Sequence, residues 1–294
     1  MRDHGGLIVR EPSAVYAPSS VDELAACVRT LRADRTPWVT RGAGHSSGGQ
    51  SLIHGGAVVE MANLAAIVAD DGPTVTVQAG IHWRDVMAQL APTGRRPTVV
   101  TGELTTTVGG TLSVGGVGET SHFEGLQIDG VRGLTIVTPD GEVHRVGIEH
   151  ELARFVLAGH GQLGVIAEAT LATRPRVSTI AARALAFESL ADYLALVDGL
   201  LAIGDGGPYP FVRGRLLWRD GVRHTVVKAT VGAFSAELAA APPATFGGAL
   251  KASEPLLVDL LAPKDRAPQL IGERRGKCAA VLLGNRIVDH SFHG

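Results

Sequence analysis

A chain of 294 residues is long enough to bury one large hydrophobic core or two modest ones. Its 27 basic and 29 acidic side chains nearly cancel, and no charged stripe argues for nucleic acid or a membrane surface as partner. No apolar run approaches the roughly 18 residues of a membrane-spanning helix. A secretory signal is not recognisable at the N-terminus, so a cytoplasmic protein with a small-molecule partner is expected. Self-association stays open, and neither the two cysteines nor the 11 scattered histidines have a metal-ligand spacing.

Periodicity predicts both helices and strands in the first part of the chain. Helices are predicted at 19–35, with Ser20 as the cap and an apolar face of Leu24, Cys27, Val28 and Leu31, and at 82–92. Strands are predicted at 37–42, 57–61, 74–80 and 164–176, with a hairpin at 131–146 around a Pro-Asp-Gly turn. Beyond Pro175 the pattern predicts a helix at 188–203 and paired strands at 211–218 and 223–232.

Glycine is concentrated in three segments, although 38 glycines would ordinarily spread through many loops. The first glycine loop is Arg41-Gly-Ala-Gly-His-Ser-Ser-Gly-Gly-Gln50, directly after a predicted strand. The second glycine stretch, residues 105–116, is rich in hydroxyl groups as well, and the third glycine turn spans 158–164. Backbone N–H groups in such turns bind anions, and glycine lets a phosphate approach the main chain. Neither the dinucleotide fingerprint nor a Walker loop is present.

The order and spacing of these segments resemble the FAD-binding domain of the vanillyl-alcohol-oxidase superfamily, also described as PCMH-type. The closest branch is the cytokinin dehydrogenases. The resemblance covers about residues 10–180 and rests on Arg41–Gln50, VGGTLSVGGVG (108–118), the hairpin and GHGQLGVI (159–166). It implies an α+β fold with a two-subdomain FAD-binding domain in 1–176. It also implies a substrate (cap) domain in 177–294, shorter than in the family, with helices and an antiparallel sheet.

The resemblance also implies the residues that hold FAD. His45 matches the histidine that bonds covalently to the flavin 8α-methyl group; the alternative is a loop histidine held only by hydrogen bonds. The other matched FAD contacts are Thr40, Gly42, Gly44, Ser46, Gln50, Thr107, Ser113, Val117 and Ile166. No residue matches the cysteine that doubly linked relatives use.

The chain departs from the family at the catalytic base. Cytokinin dehydrogenases carry an aspartate in a Trp-Thr-Asp-Tyr-Leu segment, and this chain reads Val-Thr-Gly-Glu-Leu at 100–104. Gly102 therefore stands where the base is expected. Glu103 is adjacent but reaches the same side only if the backbone turns there. His122, with an ordinary pKa of about 6.5, is a second candidate; a hydrated loop pair with Glu124 is the alternative.

Three functions are compatible with this pattern. The leading hypothesis is an FAD-dependent oxidoreductase that takes a hydride from a small amine or alcohol, with a place in natural-product metabolism. The second is a redox-neutral cyclase or isomerase with structural FAD, and the third is a silent flavin domain completed by a partner chain. On the strand 211–218, Phe211, Arg213 and Arg215 share a face. The arginines either bind an anionic substrate or are ordinary surface charges.

Overall fold

The structure is a computed structural model of the chain and describes residues 1–176 throughout. Beyond them it describes residues 179–187, 191, 194–195, 197–198, 211–219, 222–233, 251–252, 256–259 and 270–271. The chain divides into two compact units: Met1–Val117 with Leu126–Pro175, and Gly118–Gly125 with Arg176–Gly294. All three glycine segments therefore lie in the first unit, whereas His122 lies in the second.

Three short parallel strands form the first sheet. Its elements in chain order are β1 (Ala14–Tyr16), helix α1 (Val21–Ala33), β2 (Trp38–Arg41) and β3 (Ala57–Glu60). β3 lies between β1 and β2 and is parallel to both. Its residues Ala57, Val58 and Val59 are all buried, as expected for a parallel strand that is covered on both faces. The first glycine loop leaves from the carboxyl end of β2.

Helix α1 confirms the helix predicted at 19–35. The Ser20 side chain accepts a hydrogen bond from the Glu23 N–H, and the Glu23 carboxylate accepts one from the Ser19 N–H in return. Such reciprocal capping contributes about 1 kcal/mol. The predicted apolar face is buried except at Cys27, which is only partly covered.

The second sheet has six antiparallel strands, and the longest of them is central. They are β4 (Ile67–Asp70), β5 (Thr74–Gln78), β6 (Arg95–Pro97), β7 (Val131–Val137), β8 (Val143–Gly147) and β9 (Val165–Pro175). Their order is β4-β5-β9-β7-β8, with β6 also on β9. The hairpin β7–β8 is confirmed, and Gly141 in its turn has a φ of 82°, which glycine adopts without strain. The Arg29 guanidinium of α1 donates to the Gly141 carbonyl over 2.8 Å.

Short helices complete the first unit. They are α2 (Trp83–Leu90), α3 (Val108–Leu112) and α5 (Glu151–Val156), with 3-10 turns at Ala91–Thr93 and Gln127–Gly130. α2 confirms the predicted second helix and buries its apolar side chains, Trp83 among them. α3 was not predicted, because the sequence groups the second glycine stretch with turns that bind anions.

The second unit contains a further antiparallel sheet and the short helix α4 (Ser121–Glu124). The strands are β10 (Thr179–Phe187), β11 (Phe211–Arg219), β12 (Val222–Ala233), β13 (Lys251–Ala252), β14 (Leu256–Asp259) and β15 (Leu270–Ile271). They are ordered β11-β12-β10-β14-β15, with β13 also on β10, so the predicted strand pair is confirmed as β11 and β12. Most of the helix predicted at 188–203 lies outside the described residues, as do the side chains of Phe211, Arg213 and Arg215. The fold class is α+β, as predicted.

Candidate functional site

The first glycine loop is a true loop, shaped by left-handed glycines and by the arginine that precedes it. Gly44 and Gly49 have φ values of 77° and 71°. The Arg41 guanidinium lies against Gly44, where a Cβ would collide with it. It also donates to the Ser51 hydroxyl over 3.3 Å and to the Arg2 carbonyl over 3.2 Å. The contacts of the Arg41 side chain thus hold the first glycine loop in its conformation.

The first glycine loop meets the second glycine stretch at Gly42. A Cβ on Gly42 would run into the hydroxyl of Thr107, so the two segments touch there. Thr107 is buried and begins α3, and its side chain accepts a hydrogen bond from the Gly110 N–H over 3.3 Å. Two residues that the sequence matched to FAD contacts are therefore in direct contact.

Much of the second glycine stretch approaches the protein rather than a ligand. Gly109 donates its N–H to the Ala79 carbonyl over 2.8 Å, and a Cβ on Gly109 would lie 2.6 Å from that of Ala79. After α3 the chain turns at Gly115 and Gly116, whose φ values are 91° and 67°, and a Cβ on Gly116 would run into the Gln127 side chain. Because Gly109 packs against Ala79, residues 108–112 form a helix although their composition is typical of a loop.

The third glycine turn joins the carboxyl end of α3. Ala158 donates its N–H to the Leu112 carbonyl over 2.9 Å, and His160 donates to the Ser113 carbonyl over 2.8 Å. Ala158 and His160 have φ values of 55° and 54°, which non-glycine residues rarely adopt. Gly161 faces the Thr40 hydroxyl, 3.6 Å from the position of a Cβ. The three glycine segments thus converge in space, as expected if they hold one extended ligand.

The remaining predicted FAD contacts differ in their exposure and in their hydrogen bonds. The Ser46 carbonyl accepts from the His4 N–H over 3.0 Å, and the Gln50 side chain turns back onto the Gly48 N–H, also over 3.0 Å. Val117 is 67% exposed. The Ile166 side chain is buried in the core on β9, so a ligand contact there would have to come from the main chain. As ligand contacts, all of the matched positions stay predictions.

His45 is half-buried and held on several sides. Its Nε2 atom lies 3.1 Å from the Thr105 hydroxyl and 3.9 Å from Glu103 Oε1. The His4 ring stacks on it, with centroids 4.8 Å apart and planes inclined by 21°. Burial lowers the pKa of His45, against the opposing effects of the Glu103 charge and of a backbone hydrogen bond at Ala43. Among the described residues, its buried Nδ1 atom has no hydrogen-bond partner.

A backbone turn begins at Glu103, and whether this residue replaces the base missing at Gly102 stays a prediction. Thr106 donates its N–H to the Glu103 carbonyl over 3.2 Å. At the start of α2, the N–H groups of Trp83 and Arg84 donate to carbonyls of this turn. The Glu103 carboxylate therefore faces His45. Its Oε1 atom accepts from the Thr105 hydroxyl, whereas Oε2 is buried with no hydrogen-bond partner in the described part of the chain.

Sequence reasoning did not single out His4 or Thr105 for this site. Thr105 lies at the start of the second glycine stretch, whereas His4 lies in an N-terminal segment that carries no motif. Neither lies at helical or strand spacing from His45. A hydroxyl two residues after Glu103 was the only available signal. The turn that brings it beside His45 depends on tertiary contacts.

His122 belongs to the second unit, on α4. Burial lowers its pKa, opposed by a backbone hydrogen bond at Glu119 and by the charge of Glu124. Its ring packs edge-on against Phe123 at 5.1 Å, and Nε2 is buried with no partner among the residues described. A catalytic role for His122 stays a prediction.

These observations fit FAD as the ligand. Three glycine segments converge, and Gly44, Gly49, Gly115 and Gly116 give the main chain left-handed conformations that glycine adopts without strain. A buried imidazole nitrogen beside them lacks a partner, and a buried polar atom without one calls for an explanation. The described residues contain no helix long and apolar enough to cross a membrane, and over the same residues no group of three potential metal ligands occurs.

Comparison with known proteins agrees with this fit. Residues 12–147 match a family described as "FAD binding domain". An uncharacterized oxidoreductase, ORF5 of the fasciation locus of Rhodococcoides fascians, is 34% identical over 216 residues, 73% of this chain and 49% of that protein. Cytokinin dehydrogenase 4 of Arabidopsis thaliana is 30% identical over 74% of this chain and 46% of its own. Cytokinin dehydrogenase 1 of Oryza sativa subsp. japonica is 32% identical over 79% and 46%.

The chain spans about half the length of these relatives. The matched FAD-binding region contains the first glycine loop and the second glycine stretch, and the third glycine turn lies beyond it, after α5. The chain belongs to the PCMH-type FAD-binding superfamily and is cytokinin dehydrogenase-like.

Proposed function

We propose that the protein is an FAD-dependent oxidoreductase that removes a hydride from a small amine or alcohol. The observation that carries the proposal is the convergence of three glycine segments beside His45 within an FAD-binding domain. FAD supplies the hydride acceptor, the flavin N5 atom. The protein supplies binding, orientation and a proton acceptor.

His45 is the proposed attachment point of the flavin 8α-methyl group. Its Nδ1 atom is buried and without a described partner, and the lowered pKa keeps the ring neutral at physiological pH. A neutral imidazole nitrogen is a nucleophile, whereas a protonated one is not. A covalent link would prevent loss of the cofactor and raise its reduction potential.

The substrate proton goes to Glu103, to His122 or to water in this proposal. Gly102 has no side chain and is excluded as a base. Glu103 is the candidate that the first unit offers, because its Oε2 atom is buried and has no described partner. Glu103→Gln, which cannot take up a proton, is expected to slow flavin reduction by about a hundredfold or more.

Anaerobic mixing with a panel of small amines and alcohols tests the proposal. A substrate is expected to bleach the oxidised-flavin absorbance of the wild-type protein, and chemical reduction provides the reference for complete bleaching. Flavin that is chemically reducible but never bleached by any member of the panel would count against hydride transfer.

A redox-neutral cyclase or isomerase with structural FAD is the second candidate. It is favoured by Gly102 and by the engagement of Glu103 Oε1 with Thr105, which together leave few obvious proton acceptors. The two candidates separate when the flavin is kept reduced. Undiminished turnover would support the isomerase, and turnover that requires an electron acceptor would exclude it.

A further inference from the structure

Glu103, Thr105 and His45 lie in one hydrogen-bonded row. The Thr105 hydroxyl lies between the Glu103 Oε1 atom, to which it donates, and the His45 Nε2 atom, 3.1 Å away. The Thr105 N–H also donates to Glu103 Oε1 over 3.3 Å, which fixes the carboxylate. The backbone turn at 103–106 therefore places Glu103 and Thr105 at the Nε2 edge of the His45 ring.

We propose that Glu103 and Thr105 are positioning residues that hold His45 as the Nε2–H tautomer and take up its Nε2 proton when Nδ1 becomes covalently bonded to FAD. This inference rests on the proposed attachment of FAD at His45. It assigns the row a task in assembly of the holoenzyme, separate from the proton that leaves the substrate during turnover.

Counting protons gives the tautomer. An ionised carboxylate only accepts hydrogen bonds, and a threonine hydroxyl has a single proton to donate. Because Thr105 donates that proton to Glu103, its oxygen can only accept from His45. The Nε2 atom must then carry the ring proton, and Nδ1 has the lone pair. A hydrogen bond at one ring nitrogen commonly sets the state of the other in this way.

The surroundings of Nδ1 agree with this assignment. The Nδ1 atom is buried and makes no hydrogen bond of good geometry, so a lone pair there is free to bond with a ligand. A backbone interaction of the ring at Ala43 favours the protonated form, but burial has the larger effect on the pKa of His45. The stacked His4 ring restricts rotation of the imidazole and so holds Nδ1 in one direction. Burial also favours the neutral ring that this chemistry requires.

Attachment balances with dioxygen as the oxidant. A bond forms between Nδ1 and the 8α-carbon, and one C–H bond of the methyl group breaks. One proton leaves the methyl group and one leaves His45 Nε2. Together with two electrons they convert dioxygen to hydrogen peroxide. Without an acceptor for the Nε2 proton the ring would be left as a buried cation. Transfer through the Thr105 hydroxyl to Glu103 removes that charge.

The matched pair Thr105→Val and Thr105→Ser tests the relay in the full-length protein. Valine keeps the shape and removes the hydroxyl, whereas serine keeps the hydroxyl. Flavin that stays with acid-precipitated protein is measured against time after FAD is added to flavin-free protein, with His45→Ala as the zero reference. We expect Thr105→Val and Glu103→Gln to bind FAD but attach it about a hundredfold more slowly, and Thr105→Ser to attach it at nearly the wild-type rate. Attachment by Thr105→Val at the wild-type rate would overturn the proposal.

The tautomer provides a second readout that needs neither attachment nor activity. Nitrogen NMR of flavin-free protein labelled in histidine, with His45→Ala to identify the signals, is expected to show Nε2–H in the wild type and a loss of that preference in Thr105→Val. An Nδ1–H ring in the wild type overturns the relay. A wild-type protein that shows Nε2–H but never retains flavin overturns covalent attachment, and with it the relay's role in assembly.

Discussion

The first glycine loop and the second glycine stretch have similar compositions but use glycine for different reasons. In the first, Gly44 is needed because its φ is 77°, and the atom nearest its missing Cβ belongs to the flexible end of Arg41. In the second, Gly109 lies in helix α3 with no room for a side chain against Ala79. Glycine-rich sequence therefore indicates close approach, but the partner can be the protein itself as well as a ligand.

Filling the space at Gly109 should have the largest effect on stability. Gly109→Ala places a Cβ 2.6 Å from that of Ala79, the residue that follows β5. Overpacking of this kind costs about 1–3 kcal/mol, of which the higher helix propensity of alanine offsets up to about 1 kcal/mol. Urea denaturation should show a net loss of about 1–2 kcal/mol. Gly130→Ala is the control, because its Cβ would make an ordinary contact 3.5 Å from Thr98, and it should change the free energy of unfolding far less.

Substitution of Gly44 should cost somewhat less, and for a conformational reason. Alanine in the left-handed region loses about 1–2 kcal/mol, of which the reduced entropy of the unfolded chain offsets about 0.4–1 kcal/mol. Only the end of the Arg41 side chain has to move. Asparagine tolerates this conformation better than alanine. We therefore expect Gly44→Asn to be milder than Gly44→Ala, and Gly109→Asn to be more severe than Gly109→Ala. If asparagine were milder than alanine at both positions, or more severe at both, glycine would not serve different purposes in the two segments.

Removal of the His4 ring should have the smallest effect on global stability. His4 is exposed, and its stacking on His45 is worth about 0.5–1.5 kcal/mol at most. His4→Ala should change the free energy of unfolding by less than about 1 kcal/mol. Hydrogen exchange at 45–50 should accelerate in this variant, while exchange in α3 stays unchanged. Equal acceleration in both segments would show that the first glycine loop is not independently held.

The sequence predicts well those elements whose signals are local. α1 follows from Ser20, Glu23 and a 3.6-residue apolar spacing, and the hairpin β7–β8 follows from alternation around Gly141. The strands β1, β4 and β6 are three or four residues long, so they show little periodicity and are defined by their partners. α3 contains two glycines and forms because Thr107 caps it and Trp83 donates to Thr111 over 2.8 Å. The cap is local, whereas the contact of Trp83 with Thr111 is tertiary.

The candidate site also contains residues that local sequence patterns identify and residues that only tertiary contacts bring together. His45, Gly42 and Thr107 are recognisable because their segments carry a family pattern. The row from Glu103 through Thr105 to His45 is not visible in the sequence, because it depends on the turn at 103–106 and on its attachment to α2. Gly102 identifies the missing base, but only the structure shows that Glu103 faces His45.

The most direct test of this account compares purified wild-type protein with His45→Ala by absorbance before and after acid precipitation. The account predicts flavin absorbance in both proteins before precipitation, with flavin in the wild-type pellet and in the supernatant of the variant. Complete release of flavin from the wild type, or retention of flavin in the pellet of the variant, would contradict covalent attachment at His45.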